Sequence, residues 1–300
     1  MNATVKKAVL RAYLRKGSIL FAVVIGLSAS SASAVFAAAT AWVNSDFSQI
    51  RLIAVRDKDG QGYQAGLHIR LEPGWKTYWR SPGDSGVPTV VDWSASRNVS
   101  VSGMKWPVPH RSVVAGYQSF VYQDEVVLPV SVASKVSVTS KGTGENLRLV
   151  ADVNYAVCRE ICVPLQAALS LDLKPGSSGR GDKVHLRLLE KYRGLVPVNR
   201  NLPGLGLTSV VLVDGSGSQT LKVKIESDVK FVHPDMFIEA PQPFAFSVPT
   251  IDIDPSGKQA TFAFVVSGGR NKLSLAGIEI LVTVAEAGQA IEVAHRLSKN

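Results

Sequence analysis

From residue 42 to residue 173 apolar and polar positions alternate with a period of two, broken at short intervals by glycine and proline. Leu67, Ile69 and Leu71 alternate with His68, Arg70 and Glu72, and Val126, Leu128 and Val130 repeat the pattern. The clearest run is Leu147, Leu149, Ala151, Val153 and Tyr155, followed by a partner run of Leu165, Ala167, Leu169, Leu171 and Leu173. Alternation of this kind predicts half-buried antiparallel strands, and short strands with turn chemistry between them predict a β-sandwich. Residues 175–181, Pro-Gly-Ser-Ser-Gly-Arg-Gly, carry no apolar side chain beyond the proline and read as a linker. Residues 184–193 then show helical spacing in Val184, Leu188, Leu189 and Tyr192. From about Gly206 period-two runs resume, among them residues 221–225 and 260–266. The expected fold is all-β: two β-sandwich domains in tandem with a short helical connector. The first spans 42–174, the linker 175–183 and the second 184–300.

Two stretches interrupt the alternation. Gly74-Trp75-Lys76-Thr77-Tyr78-Trp79-Arg80 is dense in aromatics and runs into the turn cluster 81–86. In an extended segment Trp75, Thr77 and Trp79 share one face and Lys76 and Tyr78 the other. These aromatics serve either the core or a stacking surface; burial is the commoner use of large rings. Residues 106–120, with Pro107 and Pro109 and little alternation, are predicted to be a long loop, the kind of segment that often carries function.

Composition changes the picture at the N-terminus. Lys6, Lys7, Arg11, Arg15 and Lys16 precede an apolar run over residues 19–27 and a series of small residues, the plan of a secretory signal peptide. Cleavage is expected after Ala34, or as late as Ala41. The apolar run is short for a membrane span, so the exported protein is expected not to span the membrane and to reside in the periplasm. Residues 1–34 hold five Lys/Arg and no acid, so a formal charge of +9 falls to 9 − 5 = +4 after cleavage. That residual charge is spread along the chain and offers no clustered footprint for nucleic acid.

The chain has two cysteines, Cys158 and Cys162, separated by Arg159, Glu160 and Ile161. Closing so short a loop contributes only about 2 kcal/mol in the chain-entropy picture, little for a chain of this size. Both cysteines fall between strand-forming runs, on a connection exposed enough to approach another protein. Arg159 favours a thiolate at Cys158, Glu160 opposes it, and Pro164 stiffens the exit. Three uses compete: thiol–disulfide exchange, a structural clip, and a two-thiolate copper(I) site. Zinc needs further ligands, and the five histidines (His68, His110, His185, His233, His295) show no motif spacing, so no metal and no cofactor is assigned. No catalytic triad, phosphate-binding loop or dinucleotide fingerprint is present.

Tyr155-Ala156-Val157-Cys158…Cys162-Val163-Pro164 with its following strand resembles the periplasmic N-terminal region of the DsbD and ScsB type of transmembrane disulfide reductase. Residues 74–84 resemble the ScsB-like branch, and Tyr122-Gln123-Asp124-Glu125-Val126-Val127-Leu128-Pro129-Val130 resembles the strand after that family's cap loop. Beyond the linker, residues 231–235 and the later β-runs suit a second immunoglobulin-like domain. The resemblance implies an immunoglobulin-like domain whose cysteine pair, Cys158 and Cys162, relays reducing equivalents through a mixed disulfide at one preferred sulfur; the residues leave the choice between the two open, and Cys162 is named. Tyr155, Arg159, Glu160 and Pro164 would form the thiol environment. It also implies a cap near residues 113–120, with Gly116, Tyr117 and Phe120 over the sulfurs. Three residues separate the cysteines here, against five in better-known members. The chain carries neither a multi-helix membrane domain nor a thioredoxin domain. The partners it implies are therefore thioredoxin-fold periplasmic proteins and a separate membrane electron donor. The alternative is a non-enzymatic periplasmic binding module, for a protein partner or copper, whose disulfide is a clip.

Overall fold

The computed structural model describes residues 39–58, 62–136, 146–173, 180–215, 218–268 and 273–298. The signal segment and most of the linker expected from the sequence lie outside these residues. In chain order the first strands are β1 (Val43–Asn44), β2 (Ser48–Arg56), β3 (Gly62–Leu71), β4 (Lys76–Gly83), β5 (Val90–Asp92) and β6 (Val99–Val101). They are followed by β7 (His110–Val114), β8 (Tyr117–Gln123), β9 (Glu125–Ser134), β10 (Leu147–Cys158) and β11 (Cys162–Leu173). Helix α1 (Arg180–Gly194) leads to β12 (Leu205–Asp214), β13 (Gln219–Ser227), β14 (Asp235–Glu239) and β15 (Ala245–Phe246). The chain closes with β16 (Thr250–Ile253), β17 (Gln259–Ser267), β18 (Glu279–Glu286) and β19 (Gln289–Arg296). The protein is all-β, two immunoglobulin-like sandwiches in tandem with one helix between them.

One sheet of the first sandwich runs β1-β2-β3-β9-β6; the other runs β11-β10-β4-β8-β7, with β5 added to β10. Their inward residues, among them Ile50, Leu52, Leu67, Leu128, Leu149, Val153, Leu169 and Trp79, form one core. The second sandwich faces β12-β13-β17-β15, with β16 on β17, against β14-β18-β19. Its core is built from Leu221, Val223, Ile225, Phe262 and Phe264 on one side and Met236, Ile238, Val282 and Val284 on the other. Lys222 and Lys224, the alternate residues of β13, are exposed.

Three sequence expectations change. The predicted loop over 106–120 is largely a hairpin: β7 and β8 pair from His110↔Val121 to Val114↔Tyr117. Its two-residue turn is Ala115-Gly116, with φ of 51° and 84°; positive φ at both positions suits the right-handed twist of a hairpin. Pro107 and Pro109 lie just before β7 and so remove no donor from its ladder. His68, read as part of a polar strand face, is completely buried. Its face of β3 is covered by α1, which packs against β2, β3 and β9. Gly66 allows that approach, since a Cβ there would sit 3.0 Å from Leu189 and 2.5 Å from Val127. The helix, grouped by its sequence position with the second domain, thus adds Leu189 and Tyr192 to the first core.

The sandwiches meet through β14. Met236 and Ile238 enter the second core while Phe237, between them, enters the first, as period-two alternation requires. Phe237 packs edge-on to Phe120 at 4.9 Å and tilted to Trp79 at 5.7 Å between ring centroids. Asp235 and Glu239 lie on the same face of the strand. Asp235 accepts from Arg111 at 2.8 Å, and Glu239 accepts from Arg80 at 2.5 Å. Arg80 also donates to Glu292, which Thr283 supports.

Candidate active site

Strands β10 and β11 pair in unbroken antiparallel register from Leu147↔Leu173 to Cys158↔Cys162. The sequence placed the cysteines on a connection beyond the strands; the ladder instead continues through them. Only Arg159, Glu160 and Ile161 form the loop, closed by Arg159 N–H donating to the Ile161 carbonyl at 3.2 Å. Directly opposed residues at a hairpin end bring the Cα atoms to 4.2 Å, and the sulfurs are joined in a disulfide. The two ends differ in access. Cys158 is 2% exposed, Cys162 is exposed, and Ile161 beside it is 68% exposed.

Burial along β10 explains the asymmetry. Inward and outward residues alternate from Leu147 to Tyr155, and then Ala156, Val157 and Cys158 are all buried. Here β4 pairs alongside, with Val157 opposite Thr77 and Cys158 opposite Lys76. The Thr77 hydroxyl reinforces this two-residue ladder by donating to the Ala156 carbonyl at 2.9 Å. On the outer face of the sheet Tyr78, Val121, Ala156 and Cys158 form a small cluster of their own. β11 is an edge strand, so Pro164, lacking an N–H, is tolerated opposite Ala156.

Among the described residues, the polar side chain hydrogen-bonded to the sulfurs is the Tyr78 hydroxyl. It donates to Cys158 Sγ at 2.8 Å and lies 3.4 Å from Cys162 Sγ. Burial raises the Tyr78 pKa above its ordinary value, so the hydroxyl stays protonated and remains a donor at neutral pH. The ring is held by the backbone of Gly86, where φ is 118° and a Cβ would fall 2.1 Å from a Tyr78 ring carbon. Only glycine suits that position. Lys76, across the ladder from Cys158, donates from Nζ to Ser112 Oγ on β7 at 3.2 Å.

Tyr155 points to the other side of the sheet, where its hydroxyl bonds Ser48 Oγ at 2.9 Å within the first core. Arg159 and Glu160 are exposed on the loop, and the Arg159 stem lies against Gly74. Phe120, expected near the sulfurs, faces the core with Trp79 and Phe237. Its β8 neighbour Val121 belongs to the cysteine cluster. Gly116 and Tyr117 lie at the hairpin turn and border a cavity of about 550 Å³ shared with Met236, Phe244 and Phe246 of the second sandwich. Tyr78 is the residue that sequence reasoning missed. Its signal was the alternation of residues 75–79, which put Lys76 and Tyr78 on the face opposite Trp79. What no pattern supplied was the pairing of β4 with the end of β10.

Such a site suits sulfur exchange. The exposed Cys162 Sγ is open to a thiolate, and a Cys158 sulfur released from the disulfide would lie beside the Tyr78 donor. Among the described residues no group of three or more His, Cys, Asp or Glu side chains is arranged to hold a metal ion. Among those residues no helix is long and apolar enough to cross a membrane.

Comparison with known proteins agrees with this geometry. Residues 49–174 match the family described as thiol:disulfide interchange protein DsbD, N-terminal. Residues 195–300 match a domain of unknown function, DUF8393. No curated protein matches the chain significantly. Among solved structures, the N-terminal periplasmic domain of ScsB from Proteus mirabilis is similar in fold, with a TM-score of 0.68 and 23% sequence identity. The match covers 88% of this chain and 100% of that one, so the likeness in fold takes in both sandwiches. The first sandwich of this chain is a DsbD/ScsB-type N-terminal domain of the thiol:disulfide interchange family.

Proposed function

We propose that the protein relays reducing equivalents through the Cys158/Cys162 pair to thioredoxin-fold partners in the periplasm. The observation that carries this reading is the asymmetric pair: an exposed Cys162 joined to a buried Cys158 that sits 2.8 Å from the Tyr78 hydroxyl. In the reduced protein the Cys162 thiolate attacks a partner disulfide. The partner's second sulfur leaves as a thiolate and takes up a proton, and a mixed disulfide forms at Cys162. Cys158, deprotonated, then attacks Cys162 Sγ, the mixed bond breaks, and the partner departs as a dithiol. Two electrons have moved, and the Cys158–Cys162 disulfide is restored. Reloading runs in reverse: a donor thiolate attacks Cys162, and Cys158 leaves as a thiolate next to Tyr78. The donor in this scheme is a separate membrane protein. Export supports the periplasmic placement: the basic N-terminus followed by an apolar run has the plan of a cleaved signal. Domain limits of 42–174 and 184–300 belong to the same proposal, except that α1 (Arg180–Gly194) goes with the first sandwich, whose core it completes; so do Arg159, Glu160 and Pro164 as the rim that a partner meets.

The test is trapping together with redox poise. With Cys158→Ala, exported protein should accumulate mixed disulfides through Cys162; with Cys162→Ala it should accumulate far fewer. The Cys158–Cys162 potential, measured in glutathione or dithiothreitol buffers, should lie above the range of inert structural bridges. A value well below about −300 mV, with no trapped partner, would make the disulfide a clip and end the relay reading.

A further inference from the structure

Four residues stand in one row across the outer face of the sheet that carries the cysteines. Gln123 of β8 is opposite Lys76 of β4, Lys76 is opposite Cys158 of β10, and Cys158 is opposite Cys162 of β11. Directly opposed side chains leave an antiparallel pair on the same face, with Cβ atoms about 4.5–5.5 Å apart. The Lys76 side chain therefore starts beside the buried sulfur. Lys76 is half-buried, and its Nζ donates to the neutral Ser112 hydroxyl at 3.2 Å. Among the described residues it forms no ion pair. Arg70, Arg80, Arg111 and Arg148 differ, since each is matched by a carboxylate. One hydroxyl engages one of the three ammonium donors, and the four-carbon stem is flexible.

The other groups that face Cys158 are few. β4 supplies Tyr78, whose hydroxyl donates to the sulfur. β8 supplies Val121 and Gln123, β7 supplies His110 opposite Val121, and β11 supplies Cys162 and Pro164. The loop supplies Arg159 and Glu160, both exposed and of opposite sign. Exposed charges are screened by water and salt, and neighbouring opposite charges offset each other. A half-buried cation without a carboxylate acts through less water, so its field at the sulfur is larger. We infer that Lys76, rather than Arg159, is the cation that stabilises the Cys158 thiolate and so favours opening of the disulfide. When the thiolate of a dithiol attacks Cys162 Sγ, a new S–S bond forms there, the Cys158–Cys162 bond breaks, and its electron pair stays on Cys158. Negative charge thus appears in the row that holds the ammonium, two of whose donors Ser112 leaves unused. Tyr78 gives that thiolate a hydrogen bond; Lys76 gives it a counter-charge.

This inference rests on the exchange reading of the pair, but its test needs no biological partner. In the full-length exported protein carrying Cys162→Ala, the Cys158 thiol is titrated through its thiolate absorbance. Adding Lys76→Met, close in size and uncharged, should raise that pKa by about half to one unit, the effect of one partly screened charge close by. Lys76→Arg keeps the charge and should hold the pKa near that of the Lys76 protein, whereas loss of a merely structural side chain would not separate Met from Arg in this way. Arg159→Gln should move the pKa less than Lys76→Met does. With both cysteines present, Lys76→Met should slow reduction by dithiothreitol about two- to threefold, at a rate dependence of about one half per pKa unit. A Cys158 pKa unmoved by Lys76→Met, or moved as far by Arg159→Gln, would overturn the inference. Trapping tests the relay by itself, and thiol titration reads Lys76 whether or not a partner is trapped, so the two readings fall separately.

Discussion

Replacing Tyr78 by Phe removes a single oxygen and its proton from beside the disulfide. The ring remains, so its packing against Gly86, Val121 and Ala156 is kept, and folding stability should change by no more than about 1 kcal/mol. The chemistry should change more. In the oxidised protein the hydroxyl meets a neutral Cys158 sulfur at 2.8 Å. Once Cys158 leaves as a thiolate, the same bond becomes charge-assisted and is worth about 1.5–3 kcal/mol. At about 1.4 kcal/mol per pKa unit, its loss should raise the Cys158 thiol pKa in the reduced protein by roughly one to two units. With a rate dependence of about one half per unit for the departing sulfur, reduction by dithiothreitol should slow about three- to tenfold. Stopped-flow reduction gives the rate, and the pH dependence of thiolate absorbance in the reduced protein gives the pKa. A Tyr78→Phe protein with wild-type rate and wild-type thiol pKa would refute the role given to the hydroxyl.

Gly86→Ala should act on the same site from the other side. A methyl group at φ 118° and 2.1 Å from the ring must displace Tyr78, costing about 1–3 kcal/mol and changing the reduction rate as well; a melting curve and rate like wild type would refute the packing. Phe237→Ala empties the space between Trp79 and Phe120, and should destabilise the protein by about 3–5 kcal/mol, read by urea unfolding with Trp79 fluorescence. A loss under about 1 kcal/mol would mean that the two sandwiches do not share that ring. His68 supplies the pH dependence. Burial, set against the Glu125 carboxylate that accepts its Nε2–H at 2.8 Å, lowers its pKa from 6.5 to about 4. Between those values the unfolded chain binds a proton that the folded protein refuses, so stability falls as pH drops from 6.5 toward 4, by up to roughly 3 kcal/mol. His68→Gln should flatten that part of the urea-unfolding profile, and an unaltered slope would place the pH dependence elsewhere.

Much of this architecture was written in periodicity. The runs that end at Tyr155 and begin at Leu165 required two antiparallel strands, because one face of each had to be buried and the residues of that face recur every second position. Val184, Leu188, Leu189 and Tyr192 required a helix for the same kind of reason. The closeness of Cys158 to Cys162 and the absence of other cysteines made sulfur chemistry the leading reading of the site. Tertiary structure decided what lies against what. The family resemblance put Phe120 over the sulfurs, yet one residue of register separates the two faces of β8. Phe120 therefore joins Trp79 and Phe237 in the core, while Val121 joins Cys158. Tyr78 reaches the sulfurs only because β4 adds to the last two residues of β10, a pairing between segments some 80 residues apart. Arg111 touches the second sandwich only because β14 places Asp235, Phe237 and Glu239 on one face. Local patterning determines which side of an element is apolar, since that depends on neighbours in sequence. Which of two apolar or polar sides meets a given sulfur depends on strand order and register, and those are settled by the packing of the whole chain.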